Sequence, residues 1–182
     1  MGSVWYGEVD RALSNKLKDI FGKDIPIYFM VQRDKRKDKD IKYPHIQVHK
    51  LDNVFDHDRY DSTPKLVYLD TINSEATYKE ASKPYNLMYQ INLVCDKQND
   101  LNNLSMKWAS NHTTFHSLKV IDNTNEEQLC YVSSMPPISL YEEGENDKLI
   151  LMYAIRLNIR VRLDEGMEST VKIATEIDVK YK

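Results

Sequence analysis

Alternation of apolar and polar residues predicts the main strands of this chain. In residues 85–95 every odd position is apolar, and asparagine or glutamine holds three of the five even positions. The longest alternating run covers 149–163, where all the odd positions are apolar. Alternation with a period of two is typical of a half-buried strand. We therefore predict strands at 85–95 and 149–163, the second much longer than the usual five or six residues.

Two further pairs of alternating runs each predict a long β-hairpin. Runs at 25–31 and 44–51 flank the segment 33–42, which has six basic and three acidic residues. So dense a charge cannot enter a core, which predicts a solvated hairpin tip. At the other end, the alternation resumes at 171–181 after an Asp-Glu-Gly turn, so 149–181 is predicted as a terminal hairpin. Short strands are predicted at 66–69, 118–121 and 129–133.

Helical spacing of apolar residues appears in two segments. Residues 4–21 place apolar side chains three to four apart and end at Gly22, a residue common just after a helix. A second helix is predicted from about 101 to 116, capped at its start by Asn99 or Asp100. Its apolar face consists of Leu101, Leu104, Trp108 and Phe115.

These elements define an α+β fold class, with a mixed, mainly antiparallel β-sheet flanked by two α-helices and long β-hairpins. No interdomain linker or internal repeat is evident, so 1–182 is predicted as a single domain. The charged hairpin tip at 33–42 and a loop-rich insert at 122–147 are its irregular parts.

Composition excludes several classes of function. The net charge is −3, whereas dedicated duplex-binding proteins usually carry a basic face. The two cysteines lack metal-site or redox spacing and are expected to be free thiols. No apolar run is long enough for a transmembrane helix, so no membrane partner is predicted. Twelve tyrosines, against four phenylalanines, suit either subunit contacts or ordinary strand surfaces.

Motifs that carry catalysis or cofactor binding are missing from the sequence. The chain has five glycines and none of the glycine-rich patterns that cradle phosphates or hold a nucleophile. His112 and His116 are spaced for one face of a helix, but no third metal ligand accompanies them. We therefore predict no catalytic residue, no cofactor and no metal, and hence no enzyme.

Two charged surfaces remain as candidate contacts. Arg156, Arg160 and Arg162 share one face of the predicted 149–163 strand, where they could meet a carboxylate-rich partner or simply face solvent. The 33–42 tip could touch nucleic-acid phosphates, but it has no aromatic residue for stacking and mixes acid with base. A solvated loop or a protein-contact arm is favoured, without sequence-specific nucleic-acid binding.

The order of elements resembles the tail terminator (tail completion) proteins of tailed bacteriophages and related contractile particles. The segment KPYNLMYQINLVCDKQNDLNNLSMKWASNHTTFHSLKV at 83–120 carries most of the likeness, because a strand with a Y-x-I-x-L core leads through an Asp-containing turn to a helix and a short strand. The long alternating strand at 149–163 is similar to the strand of the family's closing hairpin. The resemblance covers about two-thirds of the chain. The charged tip and the 122–147 insert depart from the family.

That resemblance implies a structural virion protein without cofactors. It would form a ring, usually hexameric, at the head-proximal end of a tail after assembly in the host cytoplasm. Its partners would be other copies of itself, the tail tube protein, a neck or connector protein and, in a contractile tail, the sheath protein. Candidate contact residues are Trp5 in the first helix, Lys35, Arg36 and Lys37 in the charged tip, and Arg156, Arg160 and Arg162 in the long strand.

Two alternatives remain open at this stage. Another neck or baseplate protein of the same particle would share this composition and differ only in position. A small enzyme on an α+β scaffold would need a polar pocket with perturbed carboxylates or histidines, which the sequence does not indicate.

Overall fold

The computed structural model describes residues 6–30, 42–63, 65–70, 72–73, 75–79, 81–111, 115–121, 127–143, 149–163 and 168–172. The helices are α1 (Tyr6–Phe21) and α2 (Gln98–Asn111). The strands are β1 (Ile27–Met30), β2 (His45–Phe55), β3 (Lys65–Asp70), β4 (Glu75–Lys79), β5 (Lys83–Cys95), β6 (Ser117–Ile121), β7 (Glu127–Ser134), β8 (Ile138–Glu143), β9 (Leu149–Leu163) and β10 (Glu168–Lys172). A single 3₁₀ turn, His57–Arg59, follows β2.

Seven strands form the main sheet, in the order β1-β2-β5-β9-β7-β6, with β8 also beside β9. Only β1 and β2 are parallel among these described pairs; the others are antiparallel. Strand β9 pairs with β5 from Leu151 to Leu163 on one side, and with β7 and β8 on the other. This strand is therefore central, and its length is accounted for within the fold.

Both helices pack on one face of the main sheet. Helix α1 buries Val9, Leu13, Leu17 and Phe21, which recur every four residues and so form one stripe. These side chains join a core that includes the odd-numbered residues of β5 from Leu87 to Cys95 and most of those of β9. The odd positions of both strands share a face because paired residues in antiparallel strands point the same way. Burial of that face against the helices is what selects the strand register.

An aromatic cluster joins the two helices to each other and to the start of β6. The rings of Phe21 and Trp108 stack with centroids 6.5 Å apart, and Phe115 lies 5.5 Å from Trp108. Lys107 Nζ donates to the Phe21 carbonyl at 2.9 Å, which satisfies an acceptor at the end of α1. The cluster therefore fixes both helices on the same side of the sheet.

The second sheet, β10-β4-β3, continues the three middle strands of the main sheet. Strand β2 leads to β3, β4 leads into β5, and β9 leads to β10, and the lateral order is the same in both sheets. Strands β5 and β9 pair up to Lys83↔Leu163, and β4 and β10 pair from Lys79↔Glu168. The register therefore changes by one residue between the two sheets. We call this three-stranded extension the arm.

A pair of prolines interrupts the strand that runs beside β9. Ser134 is opposite Leu157, and Ile138 is opposite Ala154, so one extra residue lies between them. The extra residue falls at Pro136-Pro137, where missing backbone N–H groups make a bulge the natural outcome. Strands β7 and β8 therefore pair one after the other with the same side of β9.

The α+β fold class, with two helices and a mostly antiparallel sheet, is confirmed, but both hairpins predicted from the sequence are wrong. Strands β1 and β2 run parallel, with Ile27 opposite Ile46 and Met30 opposite His49, so they are not the two halves of a hairpin. In the predicted closing strand, 171–181, the described residues 171–172 belong to β10, which pairs with β4 and not with β9; residues 173–181 lie outside the described part of the chain. Alternation assigns faces and says nothing about strand direction or partner, which explains both errors. Among the described strands, the consecutive antiparallel pairs are β3–β4, β6–β7 and β8–β9, and the last includes the long strand β9.

Several element boundaries also differ from the sequence prediction. Strands β4 and β8 were missed, and β2 extends to Phe55 into a segment expected to be a polar loop. Helix α2 already begins at Gln98, so Asn99 and Asp100 are inside it and do not cap it. Phe115 lies in a turn after the helix, yet it is buried as expected because it packs on Trp108. The charged segment 33–42 lies outside the described residues, except for Lys42.

Replacement of Gly22 by alanine should destabilise the fold. Gly22 has a φ of 109°, and its N–H donates to the Lys18 carbonyl at 2.9 Å to end α1. An added Cβ would meet no neighbour, so the cost is conformational, about 1–2 kcal/mol. The control is Gly7→Ala within α1, which has equal space and should stabilise by roughly 0.5–1 kcal/mol. Urea unfolding measures both, and changes of the same sign would contradict this explanation.

Candidate assembly surfaces

The helix-free side of the main sheet, here called the open face, is one candidate site. Its residues follow from the strand register: Asn86 lies opposite Arg160, Gln90 opposite Arg156, and Tyr131 opposite Arg160 on the other side. In antiparallel sheets one face commonly packs on the core and the other meets water. Here the second face is not uniformly polar, which sets it apart from a simple solvent surface.

An apolar stripe crosses the open face along β6, β7 and β8. Tyr131 is placed there by its pairing with Arg160, and Met135 by its N–H, which donates to the Arg156 carbonyl at 2.9 Å. All six side chains of the stripe are 41–67% exposed. Contiguous exposed apolar surface of this kind marks protein contacts more often than ordinary surface. The apolar stripe consists of Ile121, Leu129, Tyr131, Met135, Ile138 and Leu140.

The three arginines predicted from the sequence border this stripe. Arg156, Arg160 and Arg162 are all exposed and point to the open face. The Arg160 guanidinium lies 5.6 Å from the centre of the Tyr131 ring, within cation–π range. Arg162 Nη2 donates to the Arg59 carbonyl at 3.3 Å. Aromatic residues, methionine and arginine together are the composition enriched at protein interfaces.

Polar side chains occupy the middle of the open face on β2, β5 and β9. Gln90 Nε2 donates to Asn92 Oδ1 at 2.9 Å, and Asn92 is buried. His49 Nε2 and Asn158 Oδ1 are also buried and have no hydrogen-bond partner in the part of the chain that is described. Burial lowers the pKa of His49, which favours its neutral form. The centre of the face therefore carries little charge, and the arginines supply most of its electrostatic character.

The arm presents a second apolar surface. Leu66, Tyr68 and Leu69 of β3 are each about half exposed, and Ile72 at the β3–β4 turn is 91% exposed. Asp70 shapes the turn, because its carboxylate accepts hydrogen bonds from the N–H groups of Ile72 and Asn73. These bonds hold the pKa of Asp70 below its usual value, so the tip stays negatively charged.

A hydrogen-bond network fastens the root of the arm to the main sheet. Arg59 pairs with Asp56 and donates to Asn86 Oδ1 at 3.1 Å, while Asn86 Nδ2 donates to Asp56 at 3.3 Å. The hydrogen bond from Arg59 is the main cause of the lowered pKa of Asp56, which keeps that carboxylate ionised. The network joins the 3₁₀ turn to β5, and Arg162 joins it to β9.

The sequence-predicted contact residues divide into two groups. Arg156, Arg160 and Arg162 are brought together on one exposed face, and their role as contacts stays a prediction. Trp5, Lys35, Arg36 and Lys37 lie outside the described residues. The apolar stripe and the apolar surface of the arm were not predicted from the sequence. The signal that could have found the stripe was the odd-numbered run Leu129, Tyr131, Ser133, Met135, which continues past the expected end of β7.

The described part of the chain shows no arrangement typical of an active site. It holds no group of three or more histidine, cysteine or acidic side chains placed to bind a metal. Burial raises the pKa of the Cys95 thiol to about 12 and that of the Cys130 thiol to about 11, so both are poor nucleophiles at neutral pH. Neither described helix is long and apolar enough to cross a membrane.

Fold and surfaces together define an α+β scaffold with helices on one side and two candidate protein-contact surfaces. Among solved structures, the chain is similar in fold to the sheath/tube terminator of PVC, an extracellular contractile injection system, determined by cryo-EM in the extended state. The TM-score is 0.55 and 14% of residues are identical. The match covers 100% of this chain and 65% of the other. At that identity the likeness shows a tail-terminator-like fold. No family model and no curated protein matches the chain.

Proposed function

We propose that this chain is a structural terminator of a tail-like particle, which closes as a ring and ends the growth of the tube or sheath. The observation that carries the proposal is the likeness over the whole chain to the sheath/tube terminator of a contractile injection system. The match spans only 65% of that protein. Assembly contacts like those of the terminator are therefore assigned to this chain only as part of the proposal.

Two features of the molecule support this function. Its exposed apolar stripe and arm are suited to contacts between proteins. Its arginines are exposed at the edge of that stripe, where they can meet acidic side chains of a partner. Catalysis is then unnecessary, and complementarity between surfaces performs the function.

The proposed ring has six copies and lies at the head-proximal end of the tail in the virion, following assembly in the host cytoplasm. There it would contact the tube protein below, a neck or connector protein above, and the sheath protein in a contractile tail. Each ring contact needs to bury roughly 1,200 Å² or more of total surface to persist.

Mass measurement with and without tube protein tests the proposal. We expect one closed ring of defined copy number, either alone or on tubes, and shorter tubes as the chain is added to polymerising tube protein. Tube protein polymerised alone is the control for length. Negative-stain images of a tagged chain should show the label at one end of the tail, the head-proximal one. A strict monomer that ignores tubes, or a label at the baseplate, would overturn it.

A further inference from the structure

The exposed apolar side chains gather in two separate places. Ten of the seventeen large exposed hydrophobic residues described belong either to the apolar stripe or to the arm. The arm's exposed edge strand, β3, continues from β2, whereas the stripe lies on β6, β7 and β8. Strands β5 and β9 lie between these two sides, so the two surfaces face different neighbours.

Two distinct surfaces are what a head-to-tail contact requires. A two-fold dimer uses the same patch on both copies, whereas a ring joins one patch to a different patch on the next copy. A chain with one apolar patch would suit a two-fold pair or a foreign partner. This chain has two, on opposite sides of the sheet order.

The charges of the two surfaces are complementary. The tip of the arm carries Asp70 and Glu75 beside Ile72, with Lys172 of β10 opposite Glu75, and the turn keeps Asp70 ionised. The stripe is bordered by Arg156 and Arg160. Opposite charges around apolar contacts fix the register of an interface and disfavour the wrong partner. A stripe on a stripe would bring the arginines of both copies together, and an arm on an arm would leave those arginines without an acidic partner.

We propose that the arm of one copy docks on the apolar stripe of the next copy, so that the tip carboxylates meet the open-face arginines. This inference rests on the ring proposed above and specifies which surfaces close it. The occupant of the stripe is thus a second copy of this chain. Leu69 and Ile72 are the arm's apolar contacts, and Leu129, Tyr131 and Ile138 receive them.

Crosslinking tests the pairing directly. A chain with Ile72→Cys and Leu129→Cys, treated with a short bismaleimide, should give a ladder of bands that ends at the copy number of the ring. The native cysteines, Cys95 and Cys130, should not react with the bismaleimide because both are buried. Each single-cysteine variant should give no band beyond a dimer. A double-cysteine chain that forms rings but gives no ladder would overturn the pairing.

Mixing two defective variants gives a second, independent test. Ile72→Asp damages only the arm and Leu129→Asp only the stripe, so each alone should be monomeric at concentrations where the native chain forms rings. Their mixture should give heterodimers and nothing larger, because one good arm and one good stripe remain. Met106→Asp, a 68% exposed apolar residue on α2, is the matched control and should form rings normally.

The outcomes separate the two proposals. If the native chain forms rings and both aspartate variants still do, or if the mixture rebuilds full rings, the pairing is wrong and the terminator function stands. If the native chain stays monomeric with and without tube protein, the terminator function fails and the pairing with it. Far-ultraviolet circular dichroism and urea unfolding should be unchanged in all variants, because each substituted side chain is exposed.

Discussion

Changing Arg156, Arg160 and Arg162 to glutamate should stop assembly while leaving the protein folded. All three side chains are exposed, so their loss removes little internal energy; the hydrogen bond from Arg162 to the Arg59 carbonyl is worth about 1 kcal/mol. The substitution turns the border of the apolar stripe from basic to acidic, which makes it repel the acidic tip of the arm. Like charges placed across an interface cost several kcal/mol. We expect monomers by mass measurement and no shortening of tubes.

A matched control separates local charge from total charge. Arg11, Lys18 and Lys97 are exposed on the helical side of the molecule, and their change to glutamate alters the net charge by the same six units. This control should assemble nearly as the native chain does. Equal loss of assembly in both triple variants would assign the effect to overall charge and remove the three arginines from the contact surface.

Trp108→Ala should cause the largest loss of stability among single substitutions in the helices. The side chain is 3% exposed and lies between Phe21 and Phe115, so its removal leaves a cavity where α1, α2 and the sheet meet. Such changes cost about 3–5 kcal/mol. A typical domain has only about 5–15 kcal/mol in total. Urea unfolding should show a much lower midpoint and a destabilised native state.

Met106→Ala on the same helix provides the reference for this prediction. Met106 is 68% exposed, and its truncation should change the free energy of unfolding by less than about 0.5 kcal/mol. The two residues are two positions apart but face opposite sides of α2. Similar effects at both positions would mean that the aromatic cluster does not hold the helices to the sheet.

The sequence was sufficient wherever one face of an element is buried. Strand β9 was predicted with its limits, 149–163, because every odd position is apolar and those from Leu151 onward pack in the core or against it. Helix α1 and its end at Gly22 were recovered from apolar spacing and one glycine. These features follow from local periodicity, which a single chain displays directly.

Periodicity does not show which strands pair with each other. The parallel pairing of β1 with β2 and the pairing of β10 with β4 depend on contacts between segments that are distant in sequence. Strand β4 was missed because its sequence, EATYK, is polar and gains order from neighbours on both sides. The candidate surfaces divide in the same way: the arginines were visible as a strand face, whereas the arm exists only once three separate strands are paired.

The shared lateral order of three strands in the main sheet and in the arm has a mechanical consequence. A pull along the arm is directed along β4–β5 and β9–β10, and thus acts in shear on the many hydrogen bonds between β5 and β9. In shear these bonds carry the load together, whereas in peeling they would break one after another. The connection between the arm and the main sheet is therefore suited to resist tension. Force applied at the tip of the arm is transmitted to the main sheet, on which both helices pack.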